Sequence, residues 1–166
     1  MDDADVERIL AVARREIGHE TVQDLGECTR LLIGRFAVAI NDRDPLYRDP
    51  EYARSLGYSD VIAPPTMLTS IRGWGAGPFP DELRTDGSAA ETTAHLEGFR
   101  RMGAGQKLTL VSPVVAGDHI SVRRKLVAAY SKRGRSGNLV FLESESLYVN
   151  QHDEVRAIHR RTELLR

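Results

Sequence analysis

Two short segments hold the residues best placed for chemistry: NDRDPLYRD at 41–49 and VIAPPTMLTS at 61–70. Asp42 and Asp44 precede Pro45, whose fixed φ favours a turn, and turns carried on a rigid scaffold commonly present reacting groups. Asp42 could act as a base or as an orienting carboxylate. The side chain that should answer it across the turn is Tyr47, a phenol with a pKa of about 10, roughly three units or ~4 kcal/mol from base work at neutral pH. The turn is therefore laid out for catalysis but lacks its base. A local role is equally open: aspartate before proline initiates turns, so Asp42 and Asp44 can simply cap the segment. Tyr47 has two readings as well, a hydrogen-bond donor to a ligand carbonyl or a half-buried packing residue.

Other reactive types give weaker patterns. His95, His119, His152 and His159 are scattered without metal-ligand spacing, and His19 beside Glu20 reads as a surface residue, so no metal site is expected. The single Cys28 cannot form an intramolecular disulfide, which fits a reducing compartment and a cytoplasmic protein better than a secreted one. No nucleophile elbow, P-loop or dinucleotide fingerprint follows a strand pattern. Arg123, Arg124 and Lys125, with Lys132, Arg133 and Arg135 across a hairpin, concentrate positive charge. That cluster suits either the phosphates of coenzyme A and the acidic surface of a carrier protein, or a sheet edge protected by charge.

The elements that must position these residues follow from periodicity. The chain has 166 residues, 41% hydrophobic and 28% charged, which suits one globular domain spanning 1–166. Its formal net charge of -1 gives no field for nucleic acid or an anionic membrane, and no apolar run reaches the ~18 residues of a membrane span. Val6, Ile9, Leu10, Ala13 and Ile17 form one helical stripe, closed by Gly18. A second helix runs from a Thr29 cap toward Asn41, and a short third one starts at Asp49-Pro50 and stops at Gly57. Thr66 opens a largely apolar helix with Met67, Leu68, Ile71 and Trp74, followed by a long loop over about 75–93. Beyond it the period becomes two, around Leu108, Ile120, Val122, Leu139, Phe141, Val155 and Ala157, with turns at VAGD, SKRGRSGN and NQHDE. Helices first and an antiparallel sheet afterwards make an α+β layout.

The segments RFAVAIND, DPLYRDPEYA, VIAPPT, SPVVAGD and GRSGNLVFLESE, with IGHE near residue 17, together resemble the MaoC-like dehydratases. The likeness is closest to their N-terminal, fatty-acid-synthase-type dehydratase half, and it spans about 17–166. It implies a hot-dog fold, an antiparallel sheet wrapped around the helix that starts near Thr66. In that family's motif Asp42 matches the catalytic aspartate, Asp44 stands for an asparagine, and Tyr47 occupies the histidine position. Pro64 and Pro65 fall on the His-Gly whose glycine N–H polarises the thioester carbonyl, and proline has no N–H to give.

The resemblance therefore implies a subunit of an (R)-specific 3-hydroxyacyl-thioester dehydratase or enoyl-thioester hydratase that binds substrate while a catalytic MaoC-like chain supplies the chemistry. Expected substrate-binding residues are Asp44, Pro64, Pro65, Thr66 and Trp74, with Asp42 and Tyr47 as a degenerate catalytic pair. The acyl group would ride on coenzyme A or on the phosphopantetheine of an acyl carrier protein, with no other cofactor. The expected assembly is a heterodimer or heterotetramer with the catalytic hot-dog, otherwise a homodimer. Two alternatives stay open: a self-sufficient homodimeric hydratase or thioesterase with an Asp/Tyr site, and a non-catalytic acyl-thioester-binding protein.

Overall fold

The structure is a computed structural model that describes residues 1–70, 79–83, 99–135 and 137–166. Helix α1, Asp3–Glu16, begins where the Asp2 carboxylate accepts the Asp5 N–H at 2.8 Å. Val6, Ile9, Leu10 and Ala13 are buried as their spacing requires. Ile17, the last member of the expected stripe, is instead the C-cap and is 39% exposed, because the chain leaves the helix there to pass through Gly18 at φ +85°.

Strand β1, Glu20–Glu27, gave no sequence signal. Its residues ETVQDLGE bury only Leu25, since it lies at an edge of the sheet and lacks the alternation of a strand with one fully covered face. Helix α2, Arg30–Ala39, starts at Thr29, whose hydroxyl accepts the Leu32 N–H at 3.2 Å. A 3-10 turn at Pro45–Tyr47 and helix α3, Pro50–Ser55, follow; Asp49 caps α3 by accepting from Glu51 and Tyr52 N–H at 2.9 and 3.0 Å. Helix α4, Met67–Ser70, buries Met67 and Leu68. Ile71, Trp74 and most of the expected loop lie outside the described residues, apart from a 3-10 turn at Pro80–Glu82.

Strands β2 (Arg101–Leu110), β3 (His119–Gly134), β4 (Gly137–Val149) and β5 (Val155–Leu165) complete a five-stranded antiparallel sheet in the order β1-β3-β4-β5-β2. The expected meander is present as β3-β4-β5. Its hairpin is tighter than SKRGRSGN suggested, because β3 keeps its pairing through Gly134, opposite Gly137.

Register places the core on one face. Val122, Tyr148 and Ala157 stand opposite one another across β3, β4 and β5, and pack with Ile33 and Ala37 of α2, Met67 and Leu68 of α4, and Tyr47. Toward the other end of the same face, Val140, Leu142 and Leu165 bury the stripe of α1. The helix covering this second part of the sheet is thus α1, while the start of α4 serves the first.

The first end is tied by buried polar groups. Asp118 accepts the Val115 N–H at 2.9 Å through Oδ2, and Arg156 Nη2 at 3.1 Å and Asn150 Nδ2 at 3.4 Å through Oδ1. Its carbonyl accepts the Cys28 N–H at 2.8 Å, and Asn150 Oδ1 accepts the His152 and Glu154 N–H groups at 3.0 Å, closing the β4–β5 turn. Asp118→Ala removes the acceptor of the Val115 N–H, of Asn150 and of Arg156 while Glu154 still faces Arg156 at 3.2 Å, so it is expected to lower stability in urea denaturation by about 1–3 kcal/mol, the cost of leaving buried donors unsatisfied. Asp24→Ala, which removes the exposed partner of His119, should leave the midpoint close to wild type. Equal effects of the two substitutions would refute this role for Asp118.

Candidate functional site

Helix α2 ends with Asn41 in the left-handed region at φ +55°, a conformation asparagine tolerates, and the Asp42 N–H returns to the Ala37 carbonyl at 2.9 Å. This reversal aims the turn. One carboxylate oxygen of Asp42 accepts the Asp44 N–H at 3.1 Å, and one of Asp44 accepts the Leu46 N–H at 2.9 Å. Both aspartates thus make local turn bonds, the bland role open to them in the sequence.

Tyr47 ends the 3-10 turn, is only 8% exposed and belongs to the main core cluster. Burial raises its phenol pKa, and the nearby charges of Asp42 and Asp44 raise it further. The structure brings Asp42, Asp44 and Tyr47 together, and in doing so moves the phenol away from base chemistry.

The second segment docks on the first: the Ile62 N–H donates to the Leu46 carbonyl at 3.1 Å. Asp60, just upstream, accepts Arg30 Nε at 2.8 Å from the first turn of α2, and this contact holds its carboxyl below the usual carboxylate range. Ala63 N–H to Val114 carbonyl at 2.8 Å and Ala116 N–H to Val61 carbonyl at 2.9 Å zip VIAPPT to the SPVVAGD segment. Pro64 is buried, Pro65 and Thr66 are exposed, and neither proline carries an N–H.

Between these segments lies a cleft of about 200 Å³, walled by 62–65 and Leu68 on one side and by 110–114 on the other, with Arg156 completing the lining. Pro64 and Pro65 line it, whereas Asp42, Asp44, Tyr47 and Thr66 do not. Trp74 lies outside the described residues. The expected site is therefore two neighbouring features, a carboxylate–phenol turn and a proline-walled cleft, joined through Leu46 and Ile62.

Ser112 and Arg156, the two polar side chains of the cleft, were not singled out by sequence reasoning. Arg156 sits between Val155 and Ala157 in an alternation that would normally send it to solvent. It is the extra residue of a β-bulge, as Val149 pairs with Val155 and Tyr148 with Ala157. Nothing in single-sequence periodicity marks such a bulge.

The remaining candidates resolve simply. Cys28 is fully buried, and burial, with Asp118 and Glu27 nearby, pushes its thiol up to about 12, so it is no thiolate nucleophile. Among the described residues no group of three or more His, Cys, Asp or Glu could hold a metal ion, and no helix is long and apolar enough to cross a membrane. In the basic cluster, Arg123 pairs with Asp153, Lys125 lies 3.3 Å from Glu145, and Lys132 lies over the stacked rings of Tyr130 and Phe141. Arg123, Arg124 and Lys125 are covered by β1 on their outer side, so the protected-edge reading is corrected for them, whereas Lys132 and Arg133 lie beyond the last β1 partner, on the stretch of β3 that β1 leaves uncovered.

Known proteins of similar sequence and structure fit this architecture. A UPF0336 protein of Thermobifida fusca is 38% identical over 122 residues, covering 72% of this chain and 71% of its own length. A probable enoyl-CoA hydratase alpha subunit of Thermomonospora curvata is 30% identical over 135 residues, 78% of this chain but 42% of that longer protein. Among solved structures, one from the ChsH1-ChsH2 complex of Mycobacterium tuberculosis superposes with a TM-score of 0.71 at 18% identity, covering 98% of this chain and 92% of that one. The unliganded R-hydratase PhaJ1 of Pseudomonas aeruginosa gives 0.61 at 16% identity, covering 89% and 80%. These likenesses establish the α+β hot-dog fold. Residues 15–158 match the family described as FAS1-like, dehydratase domain region, and the chain belongs to that family.

Proposed function

We propose that this chain is the substrate-holding, non-catalytic hot-dog of an (R)-specific 3-hydroxyacyl-thioester dehydratase or enoyl-thioester hydratase, with the chemistry on a paired MaoC-like chain. The observation that carries the reading is Tyr47, which is buried, stands where the resemblance expects a histidine, and has its pKa raised rather than lowered. Adding water across an enoyl thioester, or removing it, needs a group near neutral pKa to move a proton and a donor for the developing oxyanion. The aspartates are engaged in turn bonds, and Pro64 and Pro65 have no N–H for the thioester oxygen.

Pairing is supported by the sheet itself. Among the described residues β2 is an edge strand, with side chains exposed along most of its length, an arrangement that favours addition of another strand. A relative is named as an alpha subunit, and similar folds include the ChsH1-ChsH2 and HadBC complexes; self-pairing is the fallback assembly. The acyl group would arrive on coenzyme A or phosphopantetheine, and the proposal requires no further cofactor.

The pure chain is expected to hydrate crotonyl-CoA only at background, and Asp42→Asn, which keeps the turn acceptor while removing the charge, should change nothing. An ordinary hydratase rate that Asp42→Asn abolishes would sink the proposal.

Tyr47 gives a second check. Its folded pKa lies above the unfolded value, so its contribution to stability is complete below about pH 10 and is lost as pH rises through the folded pKa. Tyr47→Phe should therefore lose less stability than wild type between about pH 9 and about pH 11 in denaturation experiments. Identical losses would mean that the phenol ionises as freely as in the unfolded chain.

A further inference from the structure

Among the described residues, the lining of the cleft beside Pro64 and Pro65 is apolar except at one end, where Ser112 and Arg156 meet. Arg156 Nη1 donates to the Ser112 hydroxyl oxygen at 3.1 Å, so the serine is held as an acceptor from a cation. Among the described residues its own O–H has only the Val155 carbonyl, at 3.5 Å, the outer limit of a hydrogen bond. A hydroxyl that accepts from a guanidinium is polarised into a better donor, and this one is under-used by the fold.

The surrounding charges narrow what it can receive. Arg156 is offset by Asp118 at 3.1 Å and by Glu154 at 3.2 Å, so the described residues at this end of the cleft carry no surplus positive charge for a phosphate or carboxylate. Arg156 Nε is buried without an acceptor, so the guanidinium keeps one N–H unsatisfied. The chemistry that fits is a neutral oxygen on an otherwise apolar chain. At about 200 Å³ the cleft is smaller than the ~300–1,000 Å³ of pockets that engulf a whole ligand, so it takes a segment of one.

Building on the acyl-thioester reading above, we infer that this cleft is an oxygen-selective acyl subsite in which Ser112, polarised by Arg156, donates to a hydroxyl or keto oxygen of the bound chain. Ser112 is then a specificity-determining residue, and Arg156 positions it. The cleft walls supply apolar contact to any acyl chain, while the serine adds preference for an oxygenated one.

Calorimetric titration of the pure chain with hexanoyl-CoA and 3-hydroxyhexanoyl-CoA tests this. Wild type should bind the hydroxylated thioester more tightly, by about 2-fold to 12-fold, the range of one neutral hydrogen bond. Ser112→Ala should erase that preference while leaving hexanoyl-CoA affinity unchanged, and Ser112→Thr, which keeps the hydroxyl, should retain it. Equal wild-type affinities, or a Ser112→Ala loss shared by both ligands, would overturn the subsite while leaving the acyl-thioester reading intact. Failure of wild type to bind either ligand would overturn both.

Discussion

The buried ion pair between Asp118 and Arg156 is the constraint on which the functional end of the molecule depends. Through it and its neighbours, the end of β1 at Cys28, the start of β3, the last residues of β4 at Asn150 and the bulge of β5 are fixed to one another. The SPVVAGD segment is clamped by the Asp118–Val115 bond, and that segment forms a wall of the cleft and pairs with VIAPPT. Such a pair adds little net stability over a well-packed apolar substitute, and Arg156 keeps Glu154 as a second partner. Its value here is geometric: a cation on a β-bulge is turned inward and held against a serine.

From that anchor the two candidate regions separate in character. The NDRDPLYRD turn spends its carboxylates on its own backbone and buries its phenol in the core, so it behaves as a rigid connector between α2 and α3. The cleft beside it keeps its polar capacity open and its walls apolar, a surface suited to holding a chain. The turn and the cleft sit on different elements, linked through the Leu46–Ile62 bond.

Much of this was legible in the residues. The caps Thr29 and Asp49, the stripe of α1, the Gly57 stop and the β3-β4-β5 meander all follow from local chemistry that tertiary packing did not override. β1 was not legible, because an edge strand that buries only Leu25 has no period to read. That Tyr47 is a phenol unsuited to base work at neutral pH could be seen from residue type alone, whereas its burial required the fold. Arg156 was missed for a different reason: a bulge in the ladder reassigns its direction, and alternation is the rule that a bulge breaks; Ser112, in the bend between β2 and β3, gains its place only through Arg156. Pro64 and Pro65 stood out in the sequence for their missing N–H groups, but only the structure joined them to a cleft.

The central claim is that this chain holds an acyl thioester for chemistry performed elsewhere. It is tested most directly by co-purifying the chain with a MaoC-like chain that carries an intact Asp/His motif and measuring hydration of crotonyl-CoA by the assembly. The expected result is a hetero-oligomer whose activity disappears when the partner's motif histidine is replaced and persists with Asp42→Asn in this chain. Activity that is lost with Asp42→Asn and indifferent to the partner's histidine would contradict it.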